Sequence, residues 1–176
     1  MIGIDTGNTA WILIAAAMVF FMTPGLALFY GGMARSKNVL STIMQSFFLI
    51  GVISVEFMLI GYTLIFGDDV HGIIGSLNKI GLMGTENSIM EGANIPEMAF
   101  IAFQCMFAII TPAIMSGSIT GRMRFAPFVV FAVIWSVLIY NPMAHWVWGG
   151  GFLANLGALD LSLIHISEPT RLALIS

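Results

Sequence analysis

Four long segments that contain almost no charged residues constrain the fold of this chain more than any other feature. They cover residues 9–33, 39–67, 98–121 and 125–159, and Glu56 is the only Asp, Glu, Lys or Arg within them. A helix rises about 1.5 Å per residue, so roughly 20 apolar residues cross a hydrocarbon core of about 30 Å. Charged residues make up only 9% of the chain, whereas a soluble domain carries roughly 25%. The sequence therefore predicts an all-α polytopic membrane protein.

We place the four predicted spans at about 9–33, 39–66, 97–121 and 125–148, with the glycines at 149–151 as the exit from the last helix. The short loops after spans one and three carry basic side chains, which are Arg35, Lys37, Arg122 and Arg124. Lys and Arg near span ends are retained in the cytoplasm, so both loops are predicted to be cytoplasmic. The acidic loop after span two and the N-terminus are then outside, in a multi-pass protein of the cell membrane.

Small residues in span three predict close helix packing. Gly117 and Gly121 form a GxxxG pattern, and Ser116 and Ser118 lie beside them. In a bilayer this spacing usually brings two helix backbones together, so we prefer packing to a role in substrate binding.

Two polar residues inside the spans leave alternatives open. Glu56 is either a carboxyl that hydrogen-bonds a neighbouring helix or a group that lines a pore or vestibule. His145 is either a packed, hydrogen-bonded residue or a ligand. Because no HxxxH or HExxH spacing and no nucleophile motif occurs, we expect neither a metal nor a cofactor, and we expect that the protein is not an enzyme.

Aromatic residues of spans three and four are predicted to form one column. Phe103 and Phe107 share a helix face, and the opposite directions of the two spans bring Tyr140 and Trp148 to the same outer half. Aromatic faces attract a bare cation, which then needs either a hydrated pore or a change of charge to go further. The chain shows no acidic ring or carbonyl filter. The alternatives are phenyls that face lipid or core, and Trp146 and Trp148 as interfacial anchors.

Several motifs occur in an order that resembles one known family. These are "MTPGLALFYGGMARSKNVLS", "GYTLIFG", "AFQCMFA", "GRMRF" and "NPMAHWVWGGGFLANLGALD". Over residues 9–160 they resemble the Amt/Mep/Rh ammonium transporters, on the Amt side. The resemblance implies most of the first half of an eleven-helix channel with inverted repeats, assembled as a homotrimer. It implies that ammonium or methylammonium is recruited outside, deprotonated, and conducted as the neutral amine through a hydrophobic pore.

The resemblance also implies roles for individual residues. Phe107 resembles the outer gating phenyl, and Phe103 and Trp148 resemble walls of the recruitment site. Tyr140 resembles a residue of the upper pore, and Asp160 resembles an aspartate that organises the outer site. The implied partners are the substrate, the lipid bilayer and, for the whole transporter, a PII-type regulator, while no nucleic acid is expected.

The end of the chain departs from this pattern. His165 follows Asp160 by five residues, whereas the family's first pore histidine follows its aspartate by eight. A shift of three residues turns a helical side chain by about 60° and moves it about 4.5 Å, so His165 is not expected to be that histidine. The string "SLIHISEPTR" also looks like translated sequencing adapter. We therefore expect a transporter segment at 1–160, and at 161–176 an aberrant, non-native tail where helix five is truncated.

Three functions are compatible with the residues and with the resemblance. The preferred one is an N-terminal part of an ammonium channel that is inactive by itself, because half of an inverted repeat does not enclose a pore. The second is a short membrane subunit that packs against a partner and transports nothing. An intramembrane enzyme built on Glu56 and His145 is the third, and it lacks a nucleophile or metal set.

Overall fold

The computed structural model describes residues 3–90, 93–119 and 121–157. Asp160, His165 and the predicted aberrant tail at 161–176 lie outside these residues. The helices are α1 (Thr6–Met33), α2 (Val39–Glu56), α3 (Tyr62–Phe66), α4 (Glu97–Ile119), α5 (Phe125–Trp135), α6 (Asn141–Trp148) and α7 (Phe152–Asn155).

Four helices of the described chain are long and apolar enough to cross a membrane, as the sequence predicted. They are Thr6–Met33, Ser36–Phe66, Glu97–Ile119 and Phe125–Asn155. Within the second, α2 and α3 are joined without a break by a π-helical turn at Phe57–Gly61, and within the fourth, α5 and α6 are joined in the same way at Ser136–Tyr140. The last long helix ends at Trp148, where Gly149 caps it and the predicted exit begins.

The spans pack into a bundle in which α4 contacts both α1 and α2, and α5 contacts α2. Its core is apolar, and the bulky side chains Phe57, Tyr62, Phe128 and Tyr140 are almost completely buried there. The first span contributes little to this core. Its Trp11 is 74% exposed and its Phe21 is 72% exposed, so this face is available to lipid or to further protein.

The GxxxG pattern of span three divides into two different roles. A Cβ at Gly117 would overlap the ring of Tyr30 in α1, so this glycine allows close packing, as predicted. Gly121 instead lies beyond the end of α4, with φ of +75°. It permits the left-handed turn into the next loop, and its prediction as a helix-packing residue was wrong.

The long loop between the second and third spans is folded rather than purely irregular. It contains two antiparallel hairpins, β1 (Asp69–Val70) with β2 (Ile74–Gly75), and β3 (Ile89–Met90) with β4 (Ile95–Pro96). The fold is therefore mostly helical with a small amount of sheet, which apolar periodicity does not predict for such short strands. Asp5 is joined to this loop by its backbone N–H, which donates to the Asn94 carbonyl at 2.8 Å.

Candidate functional site

The two π-helical turns adjoin a buried polar cluster between the second and fourth spans. Glu56, which precedes the first turn, is only 7% exposed. Its Oε1 accepts a hydrogen bond from Asn141 Nδ2 at 2.9 Å, and its Oε2 accepts one from Ser136 Oγ at 3.0 Å. The sequence left two roles open for Glu56. These hydrogen bonds agree with the first role, a carboxyl that hydrogen-bonds a neighbouring helix.

Space around this cluster is tightly filled. A Cβ at Gly61 would lie 3.3 Å from Glu56 Oε1 and 3.2 Å from Phe57 Cδ2. Asn141 is fully buried, and its Oδ1 has no hydrogen-bond partner in the described part of the chain. A buried acceptor without a partner lowers stability. Hydrogen bonds therefore link the two spans at this cluster, but one acceptor in it lacks a partner.

His145 is packed in the interior, as one of its two sequence alternatives required. Its side chain is fully buried, with Nδ1 2.7 Å from the Ile65 carbonyl oxygen and Nε2 3.0 Å from Asp69 Oδ1. A carbonyl oxygen only accepts hydrogen bonds, so Nδ1 carries a hydrogen and donates a hydrogen bond to the Ile65 oxygen. The histidine thereby joins α6 to the end of α3 and to the first hairpin.

The contact between His145 and Ile65 requires a glycine directly after α6. A Cβ at Gly149 would lie 2.0 Å from the Ile65 oxygen and 2.5 Å from His145 Nδ1. Phe152 donates its backbone N–H to the Gly72 carbonyl at 3.0 Å, which holds the segment after the helix against the hairpin turn. Trp146 also donates its Nε1–H to the Ile73 carbonyl at 2.7 Å. This tryptophan therefore anchors a loop, in addition to any interfacial position.

A second polar group fixes the same loop to α4. Lys79 Nζ donates to Glu97 Oε1 at 2.6 Å, and the Tyr62 hydroxyl donates to the same oxygen. The ammonium group also lies 5.8 Å from the centre of the Tyr62 ring. Lys79 is the only Lys or Arg of an acidic loop, a pattern in the sequence that could have indicated this pairing.

The two phenyls of α4 meet as their spacing predicted. The rings of Phe103 and Phe107 have centroids 4.8 Å apart and an interplanar angle of 81°. Both side chains are half-buried. Phe103 also lines a cavity of about 390 Å³ together with Asn8 and Trp11 of α1. An open space that is lined by two aromatic side chains, Trp11 and Phe103, and by aliphatic ones therefore adjoins the first third of α4.

The other two members of the predicted column have different surroundings. Tyr140 is only 1% exposed, and its ring contact is with Trp135 of the same span, with centroids 6.4 Å apart. Trp148 is half-buried at the end of α6 and packs against the apolar core. The structure thus brings Phe103 and Phe107 into direct contact and buries Tyr140 in the core. The predicted organiser, Asp160, lies outside the described residues.

The described residues define a class: a helical membrane protein with four spans in this part of the chain, a pocket near one end that Trp11 and Phe103 line, and polar links between spans in its interior. A model of the ammonium transporter family matches residues 10–167. The chain belongs to the ammonium transporter family.

Individual relatives agree with this assignment. The chain is 48% identical to an ammonium transporter of Aquifex aeolicus over 168 residues, which is 93% of this chain and 40% of that relative. It is also 48% identical to an ammonium transporter of Bacillus subtilis, over 92% of this chain and 41% of that relative. The chain thus spans about two fifths of the length of these relatives.

Solved structures show the same fold. The crystal structure of Candida albicans Mep2 superposes with a TM-score of 0.85 at 32% identity, over 93% of this chain and 36% of Mep2. Saccharomyces cerevisiae Mep2 gives a TM-score of 0.84 at 34% identity, over 93% of this chain and 38% of that one. The predicted family and the predicted helical membrane fold are both confirmed.

Proposed function

We propose that this chain supplies the outer recruitment site and the upper part of the pore of an ammonium channel. The observation that carries the proposal is the contact between Phe103 and Phe107 beside a cavity that Phe103 lines together with Trp11. Ring faces attract a cation by their negative quadrupole, most strongly where water is partly excluded. A half-buried pair in the first half of α4 meets both conditions.

The channel is proposed to select by loss of a proton. Below the phenyls the buried core of the described bundle includes the apolar side chains Ile109, Ala113 and Phe128, and a charged ion is strongly disfavoured in such surroundings. Ammonium and methylammonium become neutral by releasing a proton and then cross, whereas potassium has no proton to release. Trp148 completes the recruitment site, Tyr140 lines the upper pore, and Asp160 organises the outer region in this proposal.

The proposed orientation follows the charges. Arg35, Lys37, Arg122 and Arg124 lie on loops at one end of the bundle, and the acidic loop and Asp5 lie at the other. The basic end is assigned to the cytoplasm by the retention of Lys and Arg there. The aromatic pocket then opens to the outside of the cell membrane. A homotrimer and a PII-type regulator at the cytoplasmic face complete the proposed assembly.

The recruitment site is tested in a chimera, because the chain spans two fifths of its relatives. Residues 10–157 replace the corresponding part of the Aquifex aeolicus ammonium transporter, and uptake of labelled methylammonium is measured in cells that lack their own uptake system. Loss of two ring faces at about 0.5–2 kcal/mol each predicts that Phe107→Ala with Trp148→Leu reduces uptake at low substrate at least about fivefold.

Phe48→Ala is the matched control, since Phe48 is 45% exposed on the second span and pairs with Phe125 instead. We expect this variant to retain uptake at equal amounts of protein in the membrane. Unchanged uptake in the Phe107 and Trp148 variant would contradict the proposed site.

A further inference from the structure

The first hairpin is bound to the end of α6 on both sides of Trp148. His145 precedes this tryptophan by about one helical turn, and its Nε2 lies 3.0 Å from Asp69 Oδ1 in β1. After the tryptophan, Phe152 donates its backbone N–H to the Gly72 carbonyl in the hairpin turn at 3.0 Å. The hairpin therefore contacts this segment of the chain before and after Trp148.

The main chain around Trp148 is fixed by the same histidine. The His145 carbonyl accepts hydrogen bonds from the N–H groups of Gly149 at 2.9 Å and Gly151 at 3.1 Å. The imidazole also packs against this turn, because a Cβ at Gly149 would lie 2.5 Å from Nδ1. Trp148 is the last residue of α6, and its side chain packs against the apolar core. A displacement of His145 therefore displaces the backbone that carries the Trp148 indole.

The imidazole of His145 contacts two oxygen atoms, and these two contacts together require two hydrogens. Nδ1 lies 2.7 Å from the Ile65 carbonyl oxygen, which only accepts hydrogen bonds. Nε2 lies 3.0 Å from an oxygen of Asp69, which also only accepts when the carboxyl is ionised. A neutral imidazole carries one hydrogen, so one contact would place two acceptors against each other. Both contacts are satisfied only when the pair of His145 and Asp69 holds one further proton, on the imidazole or on the carboxyl.

The surroundings of Asp69 orient it toward the histidine and leave it open to water. The Gly72 N–H donates to both of its carboxylate oxygens, at 2.9 and 3.0 Å. The side chain of His145 is fully buried, whereas that of Asp69 is 40% exposed. Protons of the solution therefore reach the pair from the side of the carboxyl.

Other titratable groups near this pair are not bound to it. Asp68 and the exposed His71 adjoin Asp69 in the chain, and α3 carries Tyr62, whose hydroxyl donates to Glu97 instead. Among the residues that the structure describes, none of these side chains forms a hydrogen bond or an ion pair with the histidine. The further proton is therefore held by the pair alone.

We propose that His145 and Asp69 are positioning residues of the recruitment site, and that their shared proton keeps the Trp148 indole in its position. This inference rests on the proposed function, in which Trp148 completes that site. Loss of the proton leaves two acceptors facing each other at one of the two contacts of the imidazole, which weakens the link of α6 to α3 or to the first hairpin. The recruitment site is therefore disturbed when the pH at this end of the bundle rises.

The position of Trp148 is first measured without any readout of transport. The chain is labelled with fluorotryptophan, and Trp148→Phe identifies the fluorine resonance of this residue by its disappearance from the spectrum. Asp69→Ala is expected to shift that resonance, because the imidazole loses its partner. Asp69→Asn is expected to restore it, since the amide nitrogen donates to a neutral Nε2 while Nδ1 keeps its hydrogen for Ile65. A resonance that does not move in Asp69→Ala would overturn the proposal.

The shared proton also predicts a pH profile that a purely structural contact does not give. Spectra at about pH 5 and about pH 10 lie outside the range in which histidine side chains usually titrate. In the unchanged protein, the Trp148 resonance is expected to move at the higher pH toward its position in Asp69→Ala. In Asp69→Asn it is expected to stay, because no shared proton is needed there. A resonance of the unchanged protein that is independent of pH would contradict the proposal.

The consequence for recruitment is measured as methylammonium uptake by the chimera. Asp69→Ala is expected to raise the KM about two- to fivefold, the equivalent of one ring face, and to leave the maximal rate nearly unchanged, because recruitment and not conduction is affected. Asp68→Ala is the matched control, because it removes the same charge from the neighbouring position, where the carboxylate binds Asn78 instead. This control is expected to change neither the KM nor the Trp148 resonance.

The outcomes separate this inference from the proposed function. Equal effects of Asp68→Ala and Asp69→Ala would overturn the inference, because they would show a diffuse charge effect. An unchanged KM in Asp69→Ala, although the resonance moves, would also overturn it. Unchanged uptake in Phe107→Ala with Trp148→Leu would instead contradict the proposed function, on which the inference rests.

Discussion

At the scale of single residues, the sequence predicted contacts between side chains of one helix from their spacing. It did not predict contacts between residues that are distant in the chain. The contact of Phe103 with Phe107 follows from their separation by four positions on a helix. The partners of His145 were unpredictable, because its Nδ1 binds a main-chain carbonyl 80 positions away. For Glu56 the sequence left two roles open, since nothing local indicates that Ser136 and Asn141 face it.

The first prediction concerns this carboxyl. Glu56→Leu removes the acceptor of both Asn141 Nδ2 and Ser136 Oγ, and each buried donor left unpaired costs about 1–3 kcal/mol. We expect a loss of roughly 2–4 kcal/mol in stability, measured by thermal unfolding of the purified protein. Glu56→Gln keeps an amide that makes hydrogen bonds and is expected to lose less than half as much. A leucine variant at least as stable as the unchanged protein would refute the structural role.

A second prediction at this scale concerns Gly149. Its hydrogen atom faces the Ile65 oxygen, and a methyl group there would overlap both this oxygen and His145. Gly149→Ala is therefore expected to separate α6 from the first hairpin and to lower the unfolding temperature by several degrees, because overpacking typically costs about 1–3 kcal/mol. Gly51→Ala is the control, since no atom lies within 4 Å of its Cβ position. Similar unfolding temperatures in the two variants would contradict this account.

At the scale of elements, hydropathy predicted where the spans lie. It did not predict the π-helical turns within them. The predicted end of the last span at residue 148 coincides with the end of α6 at Trp148. The π-helical turns at Phe57–Gly61 and Ser136–Tyr140 have apolar sequences that fit an ordinary helix equally well. They lie beside the Glu56 cluster, so their position depends on packing between spans, which a single segment does not encode.

The third prediction concerns the long loop. Lys79 neutralises the buried Glu97 carboxylate at the start of α4, and truncating one partner of such a pair leaves the other charge unpaired. In Lys79→Gln we expect faster hydrogen exchange of backbone amides in the loop between α3 and α4, measured by mass spectrometry. Lys37→Gln, at the opposite end, should leave that exchange unchanged. Unaltered loop exchange in Lys79→Gln would show that the hairpins hold the loop without this ion pair.

At the scale of the whole molecule, order and spacing of motifs identified the family, and the fold agrees with it. The first span leaves a broad apolar face exposed, including Trp11 and Phe21, and the relatives are more than twice as long. Composition predicts an exposed apolar face. It does not predict whether lipid or further helices cover that face.

The fourth prediction follows from this incompleteness. Residues 1–176 expressed by themselves are expected to insert into membranes but not to take up methylammonium, because half of an inverted repeat does not enclose a midplane site. The chimera described above is expected to restore uptake at equal membrane abundance. Uptake by the isolated chain at the level of the chimera would contradict this prediction.

Selectivity tests the central claim, which is that a cation is collected by aromatic rings and crosses only after losing a proton. The chimera is reconstituted in liposomes, and the fluxes of ammonium and potassium are measured on the same preparation. We expect ammonium flux without detectable potassium flux. In Phe107→Ala with Trp148→Leu, ammonium flux or its preference over potassium is expected to fall at least about fivefold, the size given by loss of two ring faces. Ammonium flux and potassium exclusion that both remain unchanged in this variant would contradict the account.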